Sequence, residues 1–351
     1  MMGAVHCRMP MSIPKNLGKN NNGMENCTLD FLEINDTCNN TAGFYINEDH
    51  QHVANILGIL TVIIAMISIG ADISWNQIYK DIRRPAGPAI GLFCQFIMMP
   101  LLGFLYNIIF QFESSLAAGL HIISCCPGGI VSNVFTYYLD GDLSLSVTMT
   151  TISTLASLGM MPLNIWMYAS HTKAKNLIIP YGNIALSLLL IVPPVVLGMI
   201  IKWKAPKVSP YITKWGGAIG LFLIIAMLVV YTVSFKHVFN IISWKIIVTF
   251  ATSPITGIII GYAVARLCRR PRPVSTAIAI ESGIQNVAVA YLIIALSFDI
   301  GKNVLILFFP LFYGLSQCIT CSLLCIIFYF VKNNCKKLQL QDTNVGFFQR
   351  R

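Results

Sequence analysis

The chain has 351 residues, of which 56% are hydrophobic and only 11% charged, and its mean hydropathy is +0.69. Soluble domains carry about 25% charged residues, so composition argues against a soluble enzyme, and at roughly 20 residues per span the chain is read as a polytopic membrane protein. The net charge of +10 then reads as basic loops at one membrane face, not as a nucleic-acid surface.

Residues 1–51 are polar and Asn-rich, with no apolar stretch leading to a small-residue cleavage site, so no ordinary signal peptide is expected. The triplets Asn26-Cys27-Thr28, Asn35-Asp36-Thr37 and Asn39-Asn40-Thr41 are three acceptor sequons within 16 residues. They predict an extracellular tail glycosylated at Asn26, Asn35 and Asn39, where Cys27 and Cys38 could pair.

Charge-poor apolar stretches predict nine spans, near 53–71, 86–110, 115–138, 144–168, 178–201, 215–235, 244–265, 276–298 and 304–331. The second carries an amide, Gln95. The third is interrupted by Cys126-Pro127-Gly128-Gly129 and followed by Ser132-Asn133. In the fourth, Ser146 and Thr150 lie four residues apart on one helix face. The eighth holds Glu281-Ser282-Gly283-Ile284-Gln285-Asn286. In the ninth, Cys318, Cys321 and Cys325 share a face with no acid or histidine nearby, and read as core packing. Cys335 follows that span beside two lysines, a weak acylation candidate.

With the N-terminus outside, 16 Lys and Arg fall in the inner loops and C-terminal tail, against 5 in the outer loops. This positive-inside bias agrees with the sequons and gives an extracellular N-terminus and a cytoplasmic C-terminus. The two interrupted spans then run in opposite directions. Spans 1–4 and 6–9 become two four-helix units of inverted topology joined by span 5, a pattern that points to a transporter's binding site.

Of the 14 acids, Glu281 alone lies within a span. An ionised carboxylate there costs several kcal/mol unless it is paired or hydrated, and the spans assign it no Lys or Arg. A bound cation, or a proton, is the partner to expect. The oxygens of Ser132, Asn133 and Gln285 suit a hard ion. One carboxylate among neutral oxygens favours a monovalent one, and sodium is the abundant choice outside a cell. His121, also within a span, reads as a packed histidine, and the Asp140-Gly141-Asp142 turn as solvated.

In these motifs the sequence resembles the sodium/bile acid cotransporter family, from about residue 54 to 334. The resemblance rests on Ile82-Arg83-Arg84-Pro85, Gly91-Leu92-Phe93-Cys94-Gln95-Phe96, Cys125-Cys126-Pro127-Gly128-Gly129 with Ser132-Asn133, and Gly141-Asp142-Leu143-Ser144-Leu145-Ser146 with Met149-Thr150-Thr151. It continues through Gly159-Met160-Met161-Pro162-Leu163, Ile179-Pro180-Tyr181 with Asn183-Ile184, and Glu281-Ser282-Gly283-Ile284-Gln285-Asn286. The similarity is to the branch that carries bile salts and sulphated steroids. It implies an all-α fold of nine transmembrane helices with two crossing broken helices. Residues 52–334 would form the transporter, with spans 1, 5 and 6 as a panel, spans 2–4 and 7–9 as a core, and residues 335–351 as a cytoplasmic tail.

The resemblance also implies two co-transported Na+ ions and no cofactor. One ion would be held by Ser132, Asn133, Ser146, Thr150 and Glu281. The other would be held by Gln95, Glu281 and Gln285, with backbone carbonyls near Ser282 and Ile284. An organic anion would bind between core and panel, facing Asn286 and Ala288. The sequence departs from the family after Asn286, where a polar pair is replaced by Val287-Ala288-Val289-Ala290-Tyr291. The expected function is sodium-coupled import of bile salts or steroid sulphates across the plasma membrane. A proton-coupled or facilitative carrier, a non-transporting relative acting as a receptor, and a homodimer remain open alternatives.

Overall fold

A helix satisfies its own backbone in a bilayer, and the apolar stretches of this chain fold accordingly. The computed structural model describes residues 48–73, 79, 83, 85–177, 179–234, 242–298 and 303–348, all within one unit, Ile46–Arg351. The three sequons, Cys27 and Cys38 lie outside the described residues. Among those described, the regular structure is helical: α1 (Glu48–Asp72), α2 (Ala86–Phe110), α3 (Ser114–Ser124), α4 (Val131–Tyr138), α5 (Leu143–Ala169), α6 (Tyr181–Lys204), α7 (Ser209–Ser234), α8 (Trp244–Leu267), α9 (Arg272–Gly283), α10 (Val287–Ser297) and α11 (Phe308–Phe348). The helices α2, α5, α6 and α8 and the segment Leu305–Asn334 are each long and apolar enough to cross a membrane.

Proline and glycine decide the local departures. Pro100 has no N–H to offer the carbonyl of Phe96. The freed oxygen instead accepts from Asn164 Nδ2 at 2.9 Å. Just before it, Cys94–Met98 widens to a π-helical turn that carries Gln95, a local irregularity common at functional sites. Glycines let helices approach closely. A Cβ at Gly70 would fall 2.0 Å from the Val195 carbonyl oxygen, and one at Gly198 would fall 2.1 Å from that of Ile67. These two clamp α1 against α6, and α1 also packs along α7. Gly257, Gly261 and Gly283 likewise bring α8 against α9.

The ends of two helices extend past the apolar stretches. Helix α1 begins at Glu48, within the predicted tail, and α11 runs on to Phe348 through residues assigned to the C-terminal tail. Hydropathy marks where a helix is apolar, whereas Lys and Gln continue a helix readily.

Candidate functional site

The third and eighth apolar stretches are both interrupted. α3 stops at Ser124 and α4 starts at Val131, and α9 stops at Gly283 and α10 starts at Val287. An interruption exposes backbone polar groups that need partners. The two breaks supply them to each other. Gly128 and Gln285 face one another as an antiparallel bridge, Gly129 N donates to Ile284 O at 3.2 Å, and Asn286 N donates to Pro127 O at 2.9 Å. Further groups close the crossing. Gly128 N donates to Ser153 Oγ at 3.3 Å, and Tyr313 donates to the Gly283 carbonyl at 3.0 Å. Gln317 accepts from Gln285 N at 2.9 Å and donates to Gln285 O at 3.3 Å.

Glu281 sits on the last turn of α9, 1% exposed. Hydroxyls from two neighbouring helices meet its carboxylate. Ser132 of α4 donates to Oε2 at 2.5 Å, Thr150 of α5 donates to Oε1 at 2.7 Å, and Ser146 approaches Oε2 at 3.4 Å. Each such bond to an ionised acceptor is roughly twice as strong as a neutral one. A hydroxyl that gives its proton to a carboxylate keeps two lone pairs. The cluster therefore turns acceptor oxygens outward around a buried negative charge, an arrangement suited to a hard, weakly charged cation. Among the described residues no group of three His, Cys, Asp or Glu is placed to hold a transition metal.

Asn133 reaches this cluster through Ser146, which donates to its Oδ1 at 2.8 Å. Gln95 lies on the other side of the crossing. Its Nε2 donates to Gln285 Oε1 at 2.6 Å and to the Cys126 carbonyl at 2.7 Å. Its Oε1 is buried without a partner, an unsatisfied acceptor beside the breaks. The structure thus gathers Ser132, Asn133, Ser146, Thr150 and Glu281 into one hydrogen-bonded group, and joins Gln95 to Gln285 as a second. Of the carbonyls expected near the second group, that of Ile284 accepts from Gly129, and that of Ser282 accepts from Gln285 Nε2 at 3.2 Å.

Asn286 caps α10, its Oδ1 accepting from Val289 N at 3.2 Å. With Ala288 it lines a recess of about 40 Å³ walled by Thr61 of α1, Gly216 and Gly220 of α7, and Gln317. Drug-sized ligands occupy about 300–1,000 Å³, so a steroid does not fit this recess in the conformation described.

The remaining candidates have structural roles. Asp142 caps α5, accepting from Leu145 N at 3.1 Å, and Asp140 pairs with Lys332. His121 is fully buried, with Nε2 3.1 Å from Thr172 Oγ1. Cys321 packs against Ile280 and Ile284. Three residues of the crossing went unnoticed in the sequence. Gln317 carried the same signal as Gln95, an amide in an apolar stretch, whereas Ser153 and Tyr313 carried none.

The family model described as the sodium bile acid symporter family matches residues 59–244, which include α3–α5. The human sodium-dependent organic anion transporter is 36% identical over 282 residues, covering 79% of this chain and 74% of the relative. The human ileal sodium/bile acid cotransporter is 36% identical over 262 residues, covering 74% and 75%. The mouse ileal sodium/bile acid cotransporter is 34% identical over 295 residues, covering 82% and 84%. These relatives are transporters by name, not enzymes. On this similarity, and with its broken helices meeting at a buried carboxylate, the chain belongs to the sodium bile acid symporter family.

Proposed function

We propose that this chain is a sodium-coupled symporter that imports amphipathic organic anions, bile salts or sulphated steroids, by alternating access. The observation that carries the reading is Glu281, a buried carboxylate ringed by hydroxyls where two broken helices cross. Sodium would sit among Ser132, Asn133, Ser146, Thr150 and Glu281. A second ion would use Gln95, Gln285 and Glu281, and the unpartnered Gln95 Oε1 supports it, because a buried acceptor lacking a donor is offset by a cation.

The architecture proposed around these sites has nine spans, with α3–α4 and α9–α10 counted as one broken span each. Spans 1–4 and 6–9 form inverted repeats. The panel comprises α1, α6 and α7, and the core comprises the other spans. The close packing of α1 on α6 and α7 supports the panel. The 40 Å³ recess at Asn286 and Ala288 lies between α1, α7 and the breaks. It supports a cycle in which the two groups of helices separate to admit a steroid-sized anion. The charge bias of the loops supports an extracellular N-terminus and a cytoplasmic C-terminus at the plasma membrane. Coupling follows if sodium binds one conformation better than the other.

The test is uptake of labelled taurocholate and of a steroid sulphate into cells expressing the chain, with sodium or choline outside. Sodium-dependent uptake that Glu281→Gln abolishes at unchanged surface abundance is the expected result. Uptake by Glu281→Gln with unaltered sodium dependence would overturn the reading.

A further inference from the structure

Asn133 is a member of the Glu281 cluster whose side chain also reaches out of it, to another helix. Its Nδ2 donates to Asp72 Oδ2 at 3.4 Å, while its Oδ1 accepts from Ser146. Asp72 is the final residue of α1, 61 positions earlier in the chain, and half-buried. Its backbone is pinned from two sides. Lys202 of α6 donates to the Asp72 carbonyl at 2.8 Å, and Ser209 of α7 donates to the Ala71 carbonyl at 2.5 Å.

An amide side chain has an accepting end and a donating end, and nothing in its shape decides which faces where. An aspartate decides it. An ionised carboxylate only accepts, so only the Nδ2 end of Asn133 can face Asp72. The Oδ1 end is thereby turned toward Ser146, whose hydroxyl lies 3.4 Å from Glu281. A line of contacts thus runs from Asp72 through Asn133 and Ser146 to Glu281.

We infer that Asp72 is a positioning residue for the cation site, holding the Asn133 carbonyl oxygen toward the ion from across the contact between α1 and α4. This deepens the proposed function and rests on it. The consequence is mechanistic. α1 packs most extensively with α6 and α7 and less with α10 and α5, whereas α4 packs with α5, α9 and α11. A movement of one group against the other would break the Asp72–Asn133 contact and release the amide. Sodium affinity would then depend on whether the two groups are engaged, which is the differential affinity that coupling requires.

The experiment titrates sodium, with choline holding ionic strength constant, against the thermal stability of the purified full chain and against taurocholate and steroid-sulphate uptake in cells. The variants are Asp72→Leu, Asp72→Asn, Asn133→Ala and the double variant Asp72→Leu/Asn133→Ala. The half-saturating sodium concentration should rise about tenfold in Asp72→Leu, the scale of one hydrogen bond to a charged group. Asp72→Asn keeps an accepting oxygen but lets the amide turn, and should give a smaller rise. Maximal uptake at saturating sodium should be retained in both. On the Asn133→Ala background, Asp72→Leu should add nothing further, because the two act through one contact.

A sodium requirement in Asp72→Leu equal to the wild type's would overturn the inference. So would a shift that persists in full without the Asn133 amide, since that marks a general structural effect. If Asp72→Leu does not reach the membrane, the nearly isosteric Asp72→Asn decides, and an unchanged half-saturation there is equally fatal. A wild type indifferent to sodium would remove the proposed function and this inference together. A sodium-responsive wild type that the Asp72 variants match would remove this inference alone.

Discussion

Gly128 lies directly against the carboxylate of Glu281: a Cβ added at Gly128 would sit 2.0 Å from Oε1 and 2.6 Å from the carboxyl carbon. No described glycine has a positive φ, so Gly128 is required for space and not for an unusual backbone angle. The break in the third apolar stretch thereby makes room for the charge at the end of α9. Gly128→Ala must displace the carboxylate from Ser132 and Thr150. Sodium-dependent uptake is expected to fall about tenfold or more, the cost of losing a charge-assisted hydrogen bond, at normal surface abundance. Gly159→Ala is the control, because a Cβ there would meet nothing within 4 Å. Equal uptake by the two variants would contradict the geometry.

The two short hydroxyl bonds give the second prediction. Ser132→Ala and Thr150→Val each remove one donor from a buried carboxylate and one lone-pair-bearing oxygen from the cation site. Each should raise the half-saturating sodium concentration about tenfold. Thr150→Ser, which keeps the hydroxyl, should stay near wild type. The serine variant separates loss of the oxygen from loss of the methyl group, and a sodium titration of uptake reads both.

Gln95 carries a distinct expectation. Its Nε2 holds Gln285 and Cys126, and its Oε1 has no partner. If that oxygen serves a second ion, Gln95→Leu removes the second site while leaving the first cluster intact. Sodium activation of uptake should change from sigmoidal to hyperbolic. The variant also leaves two acceptors unpaired, costing about 1–3 kcal/mol each, so its thermal stability should fall. An unchanged sigmoidal response in a folded Gln95→Leu would argue against the second ion.

These predictions rest on features that were unequally legible in the sequence. Glycine, proline and a lone acid are anomalous in an apolar stretch, so the broken helices and Glu281 stood out by composition alone. Ser146 and Thr150 were legible as one face by their spacing. The partners that complete the crossing are tertiary. Gln317 meets Gln285 across 32 residues, Asp72 meets Asn133 across 61, and Ser132 meets Glu281 across 149. No local pattern encodes such pairings. The π turn at Cys94–Met98 could have been suspected from Pro100, but the carbonyl's rescue by Asn164 could not. The paired breaks already set Ser132 beside Glu281, whereas the family resemblance supplied the pairing of Thr150 with Glu281 that spacing did not.

The Asp140-Gly141-Asp142 turn should behave as structure and not as a cation loop. Asp142 caps α5, and Asp142 N donates to the Pro273 carbonyl at 3.0 Å, tying the turn to the start of α9. Asp142→Ala should lower thermal stability by about 1 kcal/mol, as loss of a helix cap does. The sodium requirement should not change, and a calcium chelator should leave wild-type uptake unaltered. A large loss of sodium affinity in Asp142→Ala would instead assign the turn to the ion path.

Gly198 tests the packing on which movement of α1 with α6 depends. Its missing side chain admits the carbonyl of Ile67 and the backbone of Gly70, and a Cβ would come within 2.1 Å of the former and 2.9 Å of the latter. Backbone atoms cannot yield as a flexible side chain can, so α1 and α6 must separate to accept even alanine. In membranes such close approach is itself a source of helix association, and overpacking costs about 1–3 kcal/mol. Gly198→Ala should therefore lower the melting temperature of the purified chain, and Gly198→Val should lower it further. Gly182→Ala, on the same helix with nothing within 4 Å of its added Cβ, should not. Because an added Cβ would also meet Ala71 N at 2.7 Å, next to Asp72, a displaced α1 should carry Asp72 away from Asn133, and the sodium half-saturation of the surviving Gly198→Ala protein should rise with the loss of stability.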